Sequence, residues 1–433
     1  MKKYLFVVII LIIHAHLFAQ SGINENHFTE IKRPYKTISP YIASLLKLEG
    51  KQLKKEVKRF WNTAKQNRLP LIEIDSLDKD YTFITFVYQE SRKNKNVSID
   101  IFGIYDDTSM GNRKLRRLKN TNLYYRSYKV PNDICFSYIF KIKDIRTGKT
   151  KYSLDKFNSN RIPLGEAHSY SYSVIDLREN ETALKNLNRK SEKPLYSRID
   201  TMQYTDKVVH EKRNIYVYLP PKYDATRKKA YPVIYLFDAS IYLNRVEVPN
   251  ILDNLISEGK IEPMIAVMFG TYRKTRHVIL PLNFKFKDEF INDFLPIIRK
   301  NYNVSHIAND NIIGGMSYGG LAASFIALYH PDVLGKVLSQ SGSLWRGLKH
   351  TDKQGNWLRH DWLIEKYQTM DKKDLRLFFD WGLQENWVVG SNRRMMNVLR
   401  QKAYKYKFLE FNGWHDWSNS RKTFSQGLLF LLE

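Results

Sequence analysis

The stretch Asn311-Ile-Ile-Gly-Gly-Met-Ser-Tyr-Gly-Gly320 decides the fold. Its first residues make an apolar strand, and the run from Gly320 to His330 has the composition of a helix. Between them Gly315-Met316-Ser317-Tyr318-Gly319 matches G-x-S-x-G, a turn so sharp that side chains at the glycine positions would collide with its neighbours. The string alone is common, but its strand-turn-helix setting is specific. Such a turn presents the Ser317 hydroxyl at the carboxyl edge of a sheet, with a helix N-terminus aimed at developing negative charge.

Working outward, apolar strands are expected at Asn214–Leu219, Pro232–Phe237, Met264–Phe269, Lys336–Gln340, Leu375–Trp381 and Lys407–Asn412. Helical patterns fall between several of them, at Lys287–Lys300, Gly320–His330 and Ser391–Lys405. This alternation predicts an α/β-hydrolase fold over 199–433, its largely parallel sheet covered on both faces.

A serine hydroxyl needs a base to take its proton and an acid to orient that base. In this fold the chain order is serine, acid, histidine, each on a loop after a strand. Of the histidines after Ser317, His330 ends the next helix, and His350 and His360 precede most candidate acids. His415 follows the last expected strand and is the expected base. Glu385, after the strand Leu375–Trp381, is the preferred acid, with Asp380 and Asp416 as rivals. The backbone N–H groups of Tyr318 and Ala239 are the expected oxyanion hole.

Upstream, residues 36 to 68 carry helical periodicity, and 20–70 is read as a helical segment. Alternating runs at Tyr81–Tyr88, Val97–Phe102 and Ile134–Phe140 predict an immunoglobulin-like β-sandwich over 71–175. The polar stretch 176–198 is read as a linker. Residues 1–19 read as an export signal, with Lys2 and Lys3 before an apolar run and a cleavage site at Leu17-Phe18-Ala19; a permanent anchoring helix is the weaker alternative. The expected location is periplasmic or secreted, with no stable membrane span after signal removal.

The chain has 433 residues, 43% apolar and 14% aromatic, enough for a substantial core. One cysteine, Cys135, excludes an internal disulfide, and its apolar setting predicts burial. The net charge of +26 favours anionic partners, but no nucleic-acid-binding motif accompanies it. A lysine-rich surface is the plainer explanation.

At this point the residues resemble the enterochelin (enterobactin) esterase family, within the α/β-hydrolase superfamily of esterase D-like proteins. The resemblance rests on Gly315–Gly320, Leu338-Ser-Gln-Ser-Gly-Ser343 with Trp345, Gly382-Leu-Gln-Glu385 with Asn392-Arg393, and Gly413-Trp-His-Asp416. In the first half it rests on Phe60-Trp61, Leu69–Glu73, Thr85-Phe86, Leu115–Leu118 and Ser137-Tyr138. It implies hydrolysis of a ferric catecholate ester without metal or cofactor in the chemistry, and an Arg276 that contacts the anionic catecholates. Trp345, Trp414 and Trp417 are candidates to stack on catechol rings. The chain departs from the family at Ile279, Trp414 and Ser420, positions expected to border the substrate. The alternatives are a secreted carbohydrate esterase acting on feruloyl or acetyl groups, and a catalytically silent siderophore- or glycan-binding protein.

Overall fold

A computed structural model describes residues 28–64, 70–90, 95–104, 110–162, 171–178, 197–351 and 357–433. The expected export signal and residues 179–196 of the expected linker lie outside the described residues. Residues 32–433 form one compact unit.

Its first part is built on two antiparallel sheets. One holds β1 (Tyr35–Thr37), β2 (Leu71–Ile74), β3 (Tyr81–Gln89), β5 (Arg116–Arg117) and β6 (Leu123–Pro131). The other holds β4 (Lys95–Ile101), β7 (Cys135–Asp144), β8 (Thr150–Ser153), β9 (Arg161–Ile162) and β10 (Tyr172–Asp176). Alternate residues of both sheets face each other: Ile84, Phe86 and Tyr128 from one meet Val97, Ile99, Phe136 and Tyr138 from the other in one core. The single helical segment expected over 36 to 68 is instead a short strand followed by two helices, Pro40–Leu46 and Gly50–Ala64. The chain turns between them at Gly50, whose φ of +51° suits glycine. Leu53, Val57, Phe60, Trp61 and Ala64 recur at helical spacing and are buried against the sandwich.

The second part is an eight-stranded sheet in the order β11-β12-β14-β13-β15-β16-β19-β20. The strands are β11 (Arg198–Thr205), β12 (Lys212–Leu219), β13 (Val233–Phe237), β14 (Ile265–Phe269), β15 (Asn311–Met316), β16 (Lys336–Gln340), β19 (Arg376–Gly382) and β20 (Lys405–Phe411). From β14 to β20 all neighbours are parallel, and β11 and β12 close one edge antiparallel. A separate hairpin pairs β17 (Arg346–Thr351) with β18 (Trp357–Arg359). The expected helix Lys287–Lys300 is two helices joined by a π-turn, Phe290–Phe294. Pro296, which lacks the N–H an uninterrupted helix would use, sits just beyond that turn.

The chain reverses its direction of travel across the sheet at β13, which pairs with β14 on one side and β15 on the other. Open α/β sheets bind ligands beyond the carboxyl ends of strands at such a switch point. Among the described residues, no helix is long and apolar enough to cross a membrane.

Candidate active site

Ser317 leaves β15 with φ +62° and ψ −119°, a conformation L-residues rarely adopt, and the helix Tyr318–Tyr329 starts at the next residue. The bend is tight enough that a Cβ on Gly315 would lie 2.6 Å from the Gly319 carbonyl carbon, and one on Gly320 would lie 2.6 Å from Ser339 Oγ. Ser317 is held from below, its N–H donating to Gln340 O at 2.9 Å while its carbonyl accepts from Ser343 N at 3.1 Å. Its Oγ lies 3.2 Å from Ser343 Oγ.

The loops after β19 and β20 bring Glu385 and His415 together. His415 Nδ1 is 2.5 Å from Glu385 Oε2, and the Glu385 side chain is 2% exposed. A carboxylate oxygen accepts, so Nδ1 carries the proton and the imidazole keeps Nε2 for another partner. Glu385 Oε1 accepts from Ser341 Oγ and from Gly382 N, each at 2.7 Å, which fixes the carboxylate in one orientation. The two loops touch so closely that a Cβ on Gly382 would lie 2.3 Å from Gly413 O.

The rival acids point elsewhere. Asp380 is wholly buried beneath Ser341, accepting from Ser341 N at 3.2 Å and Gln340 Nε2 at 3.0 Å. Asp416 turns away from its neighbour His415 and accepts from Ser137 Oγ at 2.8 Å.

Ser317, Tyr318, Glu385, His415, Arg276, Trp345 and Trp414 border one cavity of about 460 Å³. Ala239 is not on its wall. It opens the single-turn helix Ala239–Ile241, directly after Asp238, and its methyl is fully buried. The Asp238 corner abuts the helix Tyr318–Tyr329, because a Cβ on Gly319 would lie 3.4 Å from Phe237 Cβ and 3.6 Å from Asp238 Oδ2.

Two expectations change, those for Trp414 and Trp417, and Arg276 carries an ion pair besides its place on the cavity. Arg276 reaches the cavity, but its guanidinium is directed at Asp238 through Nε and Nη2, and Nη2 also donates to Met316 O at 3.1 Å. Trp414, expected to stack on substrate, is 1% exposed and presses edge-on against Phe136 in the sandwich core. Trp417, offered for the same role, packs with Phe424 and Leu428 in the core of the hydrolase sheet. The family departures at Ile279 and Ser420 are likewise buried.

Other groups at the cavity escaped the sequence reading. Trp387 stands edge-on to Trp345 with ring centroids 5.4 Å apart and is 39% exposed, making an aromatic wall. The ring of Tyr318, on the cavity wall, has two guanidiniums over it, Arg276 at 5.5 Å and Arg346 at 5.2 Å. Burial lowers the pKa of Arg346 from its ordinary value. Gly103 and Ile104 of the sandwich complete the rim. The one available signal was for Asp238: an aspartate ending an apolar strand is a residue type that tolerates positive φ, here +70°.

The Esterase family model, described as "Putative esterase", matches residues 207–431, more than half of the chain. The iron(III) enterobactin esterase of Escherichia coli K12 is 26% identical over 48% of this chain and 51% of its own length, so the chain spans about half the length of that relative. The iron(III) salmochelin esterase of Escherichia coli O6:H1 is 19% identical over 85% of this chain and 92% of its own. In fold, the ferric enterobactin esterase of Salmonella typhimurium superposes with a TM-score of 0.72 at 20% identity, covering 86% of this chain and 98% of that one. The matched span contains the Ser317 turn, Glu385 and His415, and the chain belongs to the esterase family, hydrolases acting on esters on an α/β-hydrolase-like fold.

Proposed function

We propose that this protein is a periplasmic serine esterase that hydrolyses the ester bonds of a ferric catecholate siderophore and so releases iron. The observation that carries the reading is the single cavity bordered by Ser317, His415 and Glu385, with His415 Nδ1 2.5 Å from Glu385 Oε2.

In the proposed mechanism Ser317 Oγ attacks the ester carbonyl while His415 Nε2 takes its proton. Glu385 holds the imidazole in the Nδ1–H form and offsets the charge it gains. The N–H of Tyr318 holds the oxyanion, assisted by the N-terminus of the helix Tyr318–Tyr329. Collapse expels the alcohol with the proton from His415, and water then cleaves the acyl-enzyme by the same route.

The choice of substrate is supported by the relatives, which by name act on iron(III) enterobactin and salmochelin, and by an alignment that extends over 85% of the chain. The net charge of +26 suits an anionic chelate. The N-terminal module is read as an immunoglobulin-like domain that accompanies the hydrolase, and the first 19 residues as its export signal. A second reading, a feruloyl esterase acting on polysaccharide, draws on the Trp345–Trp387 wall, which fits any aromatic acyl group.

The test is turnover of ferric enterobactin against feruloylated oligosaccharides and p-nitrophenyl esters, with Ser317→Ala as control. Preferential cleavage of the ferric siderophore, abolished in Ser317→Ala, is expected; preference for the oligosaccharide would favour the second reading.

A further inference from the structure

The loop that carries His415 is held as firmly by the sandwich as by its own sheet. On one side of His415, the Trp414 ring sits in the sandwich core, 5.2 Å from Phe136 and at 88° to it. On the other side, the wholly buried Asp416 accepts from Ser137 N at 2.5 Å and Ser137 Oγ at 2.8 Å, and from Ser418 N at 2.9 Å. Backbone joins backbone as well: Cys135 N donates to Asn412 O at 3.0 Å, and Cys135 bridges Gly413 in parallel. Asn419 Nδ2 closes the frame on Cys135 O at 3.2 Å. From the sandwich rim, Gly103 approaches so closely that a Cβ there would lie 2.4 Å from His415 O.

We propose that the N-terminal sandwich is a working part of the hydrolytic site, with Ser137, Trp414 and Asp416 as positioning residues that hold His415 against Glu385 and Ser317. The inference rests on the serine-esterase reading above. Its physical basis is that the loop is clamped from two sides: the hydrolase part holds it through Leu383 N to Phe411 O at 2.8 Å, Gln384 N to Gly413 O at 3.1 Å, Asn419 Nδ2 to Trp414 O at 3.3 Å and the His415–Glu385 bond, and β7 holds the residues on either side of the imidazole. A displacement of about 1 Å in a proton-transferring group can cost on the order of 100-fold in rate. Trp414 and Asp416 flank His415 in sequence, so strand β7 reaches the imidazole through one residue on each side.

The experiment uses the full chain and two readouts: kcat on p-nitrophenyl butyrate, and the rate at which a fluorophosphonate labels Ser317, a step that also needs His415. Gly103→Ala pushes on the His415 carbonyl from the sandwich side. Gly111→Ala is its control, because Gly111 also has positive φ, +57°, but a Cβ there meets nothing within 4 Å. We expect Gly103→Ala to lower both rates by about 10- to 100-fold and Gly111→Ala to leave both unchanged. Ser137→Ala should lower both rates several-fold, and Ser137→Thr, which keeps the hydroxyl, should restore them. If Gly103→Ala fails to fold, the Ser137 pair decides alone. Wild-type rates in folded Gly103→Ala and Ser137→Ala overturn the proposal while leaving the esterase reading intact. A wild-type protein that fluorophosphonate does not label at Ser317 overturns both.

Discussion

Arg276 grips Asp238 through two hydrogen bonds, Nε to Oδ1 at 2.7 Å and Nη2 to Oδ2 at 2.6 Å, and the same guanidinium reaches Met316 O. Asp238 also accepts from Thr271 Oγ1. The corner that carries Ala239 and the residue preceding Ser317 are thereby tied to one planar cation. Anion binding from this position would add to a structural duty rather than replace it.

The fork predicts how Arg276 responds to substitution. A lysine keeps the charge but cannot form the two parallel bonds. Arg276→Lys should therefore behave like Arg276→Ala, lowering kcat by at least about 10-fold and stability by about 2 kcal/mol, the scale of lost hydrogen bonds to a charged group. Steady-state kinetics and urea unfolding check this. If Arg276 served only as a charge for the substrate, Lys would retain most activity and only KM would move on Ala.

Glu385 has a sharper signature. Glu385→Gln keeps the volume but places an amide where the carboxylate accepts the His415 Nδ1 proton, favouring the wrong imidazole tautomer. A loss of kcat of roughly 10³ to 10⁴ is expected, the magnitude found when such an acid is neutralised. The fold should survive. Activity within a few-fold of wild type would move the orienting role to another group.

The readable parts of this site were those whose requirement is local. The Ser317 turn needs small neighbours within two or three residues of the serine, so it is written in consecutive letters, and β13 and β14 are apolar runs because both their faces are covered. What could not be read depends on partners far away in the chain. Trp414 and Trp417 look alike in sequence, yet one enters the sandwich core and the other the hydrolase core. The fork between Arg276 and Asp238 spans 38 positions. Strand β11 carries no strand signal in the sequence, because an edge strand with one partner leaves Arg198, Ile199 and Gln203 exposed and has no apolar run.

The contribution of the Asp380 carboxyl to stability should fall as pH rises. Burial pushes the Asp380 carboxyl up to about 7, against hydrogen bonds from Thr423 and Gln340 that lower it. Burial also raises Asp155, Asp253 and Asp416. Between the unfolded value near ~3.9 and the folded value, the native state keeps a proton that the unfolded chain has released. The stabilisation is complete below that window and lost through it, on the order of 4 kcal/mol for Asp380 at full extent. The urea midpoint of wild type relative to that of Asp380→Asn isolates this carboxyl and should decline from pH 5 to pH 8; identical slopes would place its titration outside that range.

The aromatic wall offers a test of substrate contact that does not disturb the reacting groups. Trp387 is 39% exposed, so its truncation opens no hole in the core, whereas Trp345, at 8%, supports it from behind. A ring seated against Trp387 would gain the ~0.5–1.5 kcal/mol typical of an aromatic pair, or roughly 3- to 10-fold in affinity. Trp387→Ala should therefore raise KM by about that factor for esters with a catechol or feruloyl acyl group, with kcat little changed. For an aliphatic butyrate ester, whose acyl chain has no ring to stack, KM should stay the same. Equal increases for both classes would mean that Trp387 shapes the cavity without recognising the ring.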